Sequence, residues 1–247
     1  MYKPCSTNVM KAKHLILYIA LLTGLALLHT GAPSLKAQTL DKQTGRLLID
    51  TTMVVVQEKP SQHLIGVRYN IANCGVSFSP DLKAKNITTY NNVALLYTYY
   101  APLWGYMDIF GFQGGVKYGS YGFTSEYNIN NMDQTLTYLE VPVLAAFHFD
   151  IDRLRIYFNI GSFVDYHLRT SRTSGFDCYD RRWGYGVTGY AGLGYQFGRF
   201  QIGLDFGYQY SLSFLFHPEK LSDDWWLYSY ASQWQFGISL HYRLSNL

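Results

Sequence analysis

Between Phe200 and Phe216 apolar and polar residues alternate with hardly a break. Ile202, Leu204, Phe206, Tyr208, Tyr210, Leu212, Phe214 and Phe216 are apolar, while Gln201, Gly203, Asp205, Gly207, Gln209, Ser211 and Ser213 are polar or tiny. A period of two marks a β-strand, because successive side chains point to opposite faces. The run exceeds the ordinary strand of about five or six residues and suits the roughly 9 to 11 residues that a tilted strand needs to cross a bilayer. The pattern returns from Trp234 to Leu244, with Gln233, Gln235, Gly237, Ser239, His241 and Arg243 on the polar side. It returns again from Leu154 to Leu168, where Arg155, Asn159, Asp165, His167 and Arg169 oppose the apolar stripe. A face that carries such charge must be wet or internally paired.

Extending the count gives eight strands, at about 63 to 78, 91 to 101, 109 to 124, 135 to 149, 154 to 170, 184 to 197, 200 to 215 and 232 to 244. The connections sort into two interleaved classes. Pro102 to Asp108, Asp150 to Arg153 and Gly198-Arg199 are short, whereas Pro80 to Tyr90, Ser125 to Gln134, Ser171 to Trp183 and His217 to Ala231 are long. Membrane barrels have short periplasmic turns and longer external loops, and a soluble sandwich has no cause to sort its loops so. The predicted fold is therefore all-β, an eight-stranded antiparallel transmembrane β-barrel of the outer-membrane type, with both chain ends on the periplasmic side. Glycines fall on the inward face (Gly66, Gly111, Gly115, Gly119, Gly161, Gly186, Gly192, Gly194, Gly203, Gly207, Gly237), as a narrow interior requires.

The first residues carry Lys3, Lys11 and Lys13, then an apolar run from Leu15 to Leu28 and a small-residue exit at Ala37. This reads as a signal peptide over 1–37, followed by a periplasmic leader over 38–62 and the barrel over 63–247. Loss of the four lysines of 1–37 turns the formal charge of +3 into −1, so the basic balance is mostly a targeting feature and nucleic-acid binding loses its support. With 48% hydrophobic residues the mean hydropathy is still only −0.07, as expected when lipid-facing and lumen-facing positions alternate. Cys74 and Cys178 show no metal or redox spacing; unlinked thiols are favoured over a disulfide.

With these strands in place, Tyr138-Leu-Glu-Val-Pro-Val-Leu144, His63-Leu-Ile-Gly-Val-Arg-Tyr69 and Phe236-Gly-Ile-Ser-Leu-His-Tyr-Arg-Leu244 resemble the PorT-like outer-membrane β-barrel family of Gram-negative bacteria. The resemblance covers about 63 to 244. It implies an eight-stranded outer-membrane barrel, and members near the family's namesake take part in protein export.

Alternation places Arg68, Lys117, Glu140, Arg155, Asp165, His167, Arg169, Asp205, His241 and Arg243 on the inward face. Charges in a narrow lumen should pair, because isolated buried charge is costly, and a salt-bridged plug follows. An anion-selective passage is the sharper alternative, resting on five cationic side chains against three carboxylates. Pro142, also inward, marks an expected bulge or widened spot. His167, Asp165 and Ser171, or His217 with Glu219, would be the place to seek a lipid-modifying enzyme at the outer rim. Aromatic and charged loop residues, namely Tyr179, Arg181, Arg182, Trp183, Trp225, Trp226 and Tyr228, have a composition suited to a protein or glycan partner. No cofactor or metal is expected.

The expected role is that of an exported, non-enzymatic outer-membrane barrel in structure, adhesion or envelope assembly. Its partners would be the outer-membrane bilayer, the assembly machinery during biogenesis and a ligand at the external loops. A small porin or export component is the first alternative, a lipid-modifying enzyme the next, and a soluble lipocalin-like binder the last.

Overall fold

The computed structural model describes residues 61–79, 84–101, 109–125, 132–218 and 228–244. The signal peptide expected over 1–37 and nearly all of the leader expected over 38–62 lie outside these residues, although Gln62 already opens the first strand. Eight strands follow in chain order: β1 Gln62–Ser79, β2 Ala84–Tyr100, β3 Phe110–Ser125, β4 Met132–Ile151, β5 Leu154–Thr170, β6 Trp183–Phe197, β7 Phe200–Phe214 and β8 Tyr228–Leu244. Each pairs antiparallel with its neighbour, and β8 closes on β1 from His63↔Leu244 to Ser79↔Tyr228. Closure leaves no strand edge unpaired, the condition for backbone to sit in hydrocarbon.

The period-two pattern has its structural cause in this wall. Every second residue of β7 is buried, from Gln201 to Ser213, while Ile202, Leu204, Phe206 and Leu212 lie exposed on the outside. The arrangement is inside-out relative to a soluble barrel: the largest fully buried side chains include Arg68, Arg155, Lys117, Gln209, Gln233 and Glu140. Aromatic rings ring the outer surface at both ends, among them Tyr97, Phe197, Phe200 and Tyr242 at the end with the short turns and Trp183, Tyr185 and Phe214 at the other.

Strand positions match the periodicity closely, with four differences. β2 begins at Ala84 and β8 at Tyr228, so much of the expected loop Pro80 to Tyr90 and the last part of His217 to Ala231 are strand. The β4–β5 turn shrinks to Asp152-Arg153, with Asp152 at φ 54°, and Asp150 joins the strand opposite Arg155. Pro142 makes no bulge: the β3–β4 register is the same on both sides of it, from Gly114↔Val143 to Lys117↔Glu140, and the proline only interrupts the pairing between them. Finally, the alternation on β7 ends at Phe214, and Leu215 and Phe216 both turn inward and become buried.

Candidate functional site

Most of the inward charges predicted from alternation come together in the lumen. At the short-turn mouth Arg155 donates from Nε and Nη2 to the two carboxylate oxygens of Asp150, each at 2.7 Å, and from Nη2 to Gln62 at 3.0 Å. The Tyr100 ring lies 5.4 Å from this guanidinium. Asp150 lies within β4, which runs to Ile151, and not in the turn that the chain pattern predicts; the tight two-residue turn at the left-handed Asp152 is what draws it into the strand. Arg243, half-buried at the same mouth, donates to Gln196 at 2.7 Å.

Deeper in, Arg68 lies 3.3 Å from Asp205 and 4.3 Å from the Tyr190 ring, and Tyr157 donates to Asp205 at 2.8 Å. Above this pair, Lys117 donates to Gln209 at 2.7 Å and approaches Glu140 at 3.4 Å. Gln209 in turn donates to Glu140 at 2.7 Å, and Gln235 donates to Gln209 at 2.8 Å. A fourth level pairs Asp165 with His167 at 3.6 Å, while Tyr121 donates to Asp165 at 3.1 Å. Charge in a dry interior persists when it faces an opposite partner, which the Arg155, Arg68 and Lys117 levels each supply, although Arg68 Nε, Glu140 Oε1, Arg155 Nη1, Asp165 Oδ1 and Asp205 Oδ2 make no hydrogen bond among the described residues. His241 borders a cavity of about 10 Å³ with Gln201, Asn159 and Tyr157, room for about one water.

Arg169 is the exception. β5 holds one extra residue relative to β4, since Tyr138 faces His167 but Thr137 faces Arg169. A β-bulge of this kind breaks the alternation, so Leu168 and Arg169 both point outward and Arg169 is exposed. With Arg169 outside and Asp150, exposed at the mouth, paired to Arg155, the described lumen cations no longer outnumber the carboxylates beside them.

The enzyme constellation does not assemble from the described residues. His167 and Asp165 meet, but Nδ1 of His167 sits 2.7 Å from the Arg181 carbonyl, and the Ser171 hydroxyl accepts from the Thr135 N–H at 2.9 Å. Glu219 lies outside the described residues.

The end with the long loops is closed by a feature that alternation did not reveal. Tyr121, Phe123, Leu136, Tyr138, Leu215, Phe216 and Ala231 form a buried apolar cluster, against which Val76, Phe78 and Phe176 pack. The β5–β6 loop, residues 171–182, is fastened across this cap. Asp180 bridges to Phe216, the Arg181 N–H donates to the Leu215 carbonyl at 3.2 Å and the His217 N–H donates to the Tyr179 carbonyl at 2.7 Å. An ion pair from Arg172 to Asp180 at 2.9 Å holds the loop together.

Of the loop residues proposed for recognition, Tyr179 therefore lies in the fastening. Arg182 stacks over Phe176 at 4.0 Å and over Tyr166 at 5.1 Å. Arg181 lies over Phe214 at 5.6 Å. Trp183 and Tyr228 open strands rather than lie in loops, Trp183 against Tyr166 at 4.8 Å and Tyr228 against Phe214 at 5.2 Å. Trp225 and Trp226 lie outside the described residues.

A closed antiparallel barrel that is apolar outside and charged inside is a membrane-spanning β-barrel. The family described as "Outer membrane protein beta-barrel domain" matches residues 56–217, and the chain belongs to that family. No curated protein sequence matches it. Among solved structures, the chain is similar to the outer membrane protein OprG from Pseudomonas aeruginosa, with 9% identity, TM-score 0.47, and coverage of 76% of this chain and 98% of that one. It is also similar to Neisserial surface protein A, with 14% identity, TM-score 0.45, and coverage of 75% and 100%. A further similarity is to Ail, the attachment invasion locus protein of Yersinia pestis, with 15% identity, TM-score 0.41, and coverage of 74% and 100%.

Proposed function

We propose that this protein is a non-conducting outer-membrane barrel whose working surface is the face with the long loops, in an adhesion or envelope-assembly role. The observation that carries the reading is the double closure of the lumen, by paired charges along its length and by the apolar cap beneath the 171–182 loop. A narrow barrel filled in this way has no path for hydrated ions. In this reading residues 1–37 direct export, the short turns face the periplasm and the loops face outward to a protein or glycan partner.

The test is conductance across a planar bilayer by the refolded chain, after its gel migration is shown to shift on heating. Silence is the expected result, and steady single-channel steps would overturn the reading. A second reading, an accessory of protein export, is favoured by the PorT-like strand Tyr138 to Leu144. It predicts that deletion of the gene leaves cargo in the periplasm, whereas the first predicts loss of partner binding when 171–182 is shortened.

A further inference from the structure

Three arginines gather on the outside of the long-loop rim, and the bulge at Leu168 is what brings the first of them there. Arg169 is exposed on the outward face of β5. Arg182 is half-buried between the Phe176 ring at 4.0 Å and the outward Tyr166 ring at 5.1 Å, with its Nε donating to the His167 carbonyl at 2.9 Å and its terminal nitrogens making no hydrogen bond among the described residues. Arg181 lies over Phe214, which shares its outer surface with the rings of Tyr228 and Tyr230. Among the described residues none of the three forms an ion pair. Of the described carboxylates on these elements, Asp165 faces the lumen with His167, Asp180 is buried against Arg172, and Asp177 accepts from the Cys178 N–H at 2.7 Å.

Directly below these cations the wall turns to lipid-facing side chains, with Val164, Leu168, Trp183, Tyr185 and Leu212 exposed. The rim thus sets guanidinium groups with no ion pair among the described residues at the height where interfacial aromatics give way to water, which in a bilayer is the level of the headgroups. Guanidinium groups resting against aromatic rings, as those of Arg181 and Arg182 do, are partly preorganised for the planar, two-pronged hydrogen bonding that phosphate oxygens accept.

We infer that Arg169, Arg181 and Arg182, with Tyr166 and Trp183 beneath them, form a binding site for the phosphate of a membrane lipid in the leaflet on the long-loop side. The rings and Leu168 would flank the upper acyl chains while the arginines hold the headgroup. This site needs the barrel to be inserted, and its placement in the outer leaflet rests on the orientation proposed above.

The test inserts the full barrel into nanodiscs of a phosphate-free galactolipid doped with a phosphorylated glycolipid or with its dephosphorylated counterpart, and reads retained lipid by native mass spectrometry after detergent extraction. The expected result is selective retention of the phosphorylated lipid. Each Arg→Gln replacement should weaken retention about fivefold, and the triple variant about a hundredfold, at the usual contribution of one arginine near an anionic surface. Arg169→Gln is the variant to read first, because no other described side chain depends on it for its fold, and heat-modified gel migration checks insertion in each case. Equal retention of the two lipids, or undiminished retention by the triple variant, would overturn the site alone. A barrel that fails to insert at all would overturn the membrane reading and the site with it.

Discussion

Lys117 and Glu140 are register partners on neighbouring strands, and the 3.4 Å between Nζ and Oε2 places both charges where neither reaches water. The pair persists because Gln209 bridges it, accepting from Lys117 and donating to Glu140. Breaking such a pair from one side leaves a buried charge with no partner, which costs more than the pair contributes when whole. Glu140→Gln is therefore expected to destabilise the barrel by about 3 kcal/mol, whereas Lys117→Met combined with Glu140→Leu should fall within about 1 kcal/mol of the parent. Urea unfolding in detergent micelles measures both, and a single variant no worse than the double would contradict the argument.

The two thiols report on the cap. Cys74 is buried in the wall and Cys178 exposed in the 171–182 loop, and the sulfurs are not joined. Gln233 ties Cys74 to the cap, since its carbonyl lies 3.5 Å from the sulfur and its amide donates to Tyr138 at 2.9 Å. A charged maleimide should modify Cys178 and leave Cys74 untouched in the folded protein. Phe216→Ala removes the ring that seals the cap and should make Cys74 reactive, as peptide mass spectrometry would show. Prompt labelling of Cys74 in the parent would mean that the mouth is open.

Glycine placement gives a third expectation. A Cβ on Gly115 would collide with the Leu95 carbonyl and the Leu96 backbone, which cannot step aside without moving β2. A Cβ on Gly189, on the outer face, would meet only the Asn159 carbonyl at 3.7 Å, an ordinary contact. Gly115→Val is expected to cost up to about 3 kcal/mol by overpacking, and Gly189→Ala almost nothing. The midpoint of the heat-induced gel shift ranks them, and equal midpoints would show that the interior has slack.

How much of this was legible in the sequence depends on whether neighbours along the chain decide the answer. Strand positions, the inside-out pattern and the inward glycines follow from alternation within one strand, and so they read correctly. Arg169 was misplaced because a bulge is decided between strands: only the pairing of Tyr138 with His167 and of Thr137 with Arg169 exposes the extra residue. Asp150 went unnoticed because turn length, not local pattern, decides whether it belongs to the strand. The cap is built from Leu215, Phe216 and Phe176, which lie beyond the ends of strands where period two no longer applies.

The outer belt itself can be tested by depth. Leu204 is 64% exposed, lies four residues inside the start of β7 and faces outward between Ile202 and Phe206, so in a bilayer it meets acyl chains. Trp183 also faces outward, but at the first position of β6, beside the arginine-bearing rim. A cation within the hydrocarbon must drag water inward or thin the bilayer, whereas one at the interface snorkels to the headgroups. Leu204→Arg should thus lower stability by about 3 kcal/mol in lipid vesicles, and Trp183→Arg by less than about 1 kcal/mol beyond the loss of its ring contact with Tyr166. The comparison separates the two ways an apolar exterior can arise. In a soluble barrel coated by a protein partner, the two arginines would be penalised by the partner's shape and not by height, and the difference would persist without lipid. In a membrane barrel it must shrink when the vesicles are replaced by small, water-permeated micelles, and reversible unfolding of both variants in the two environments decides between them.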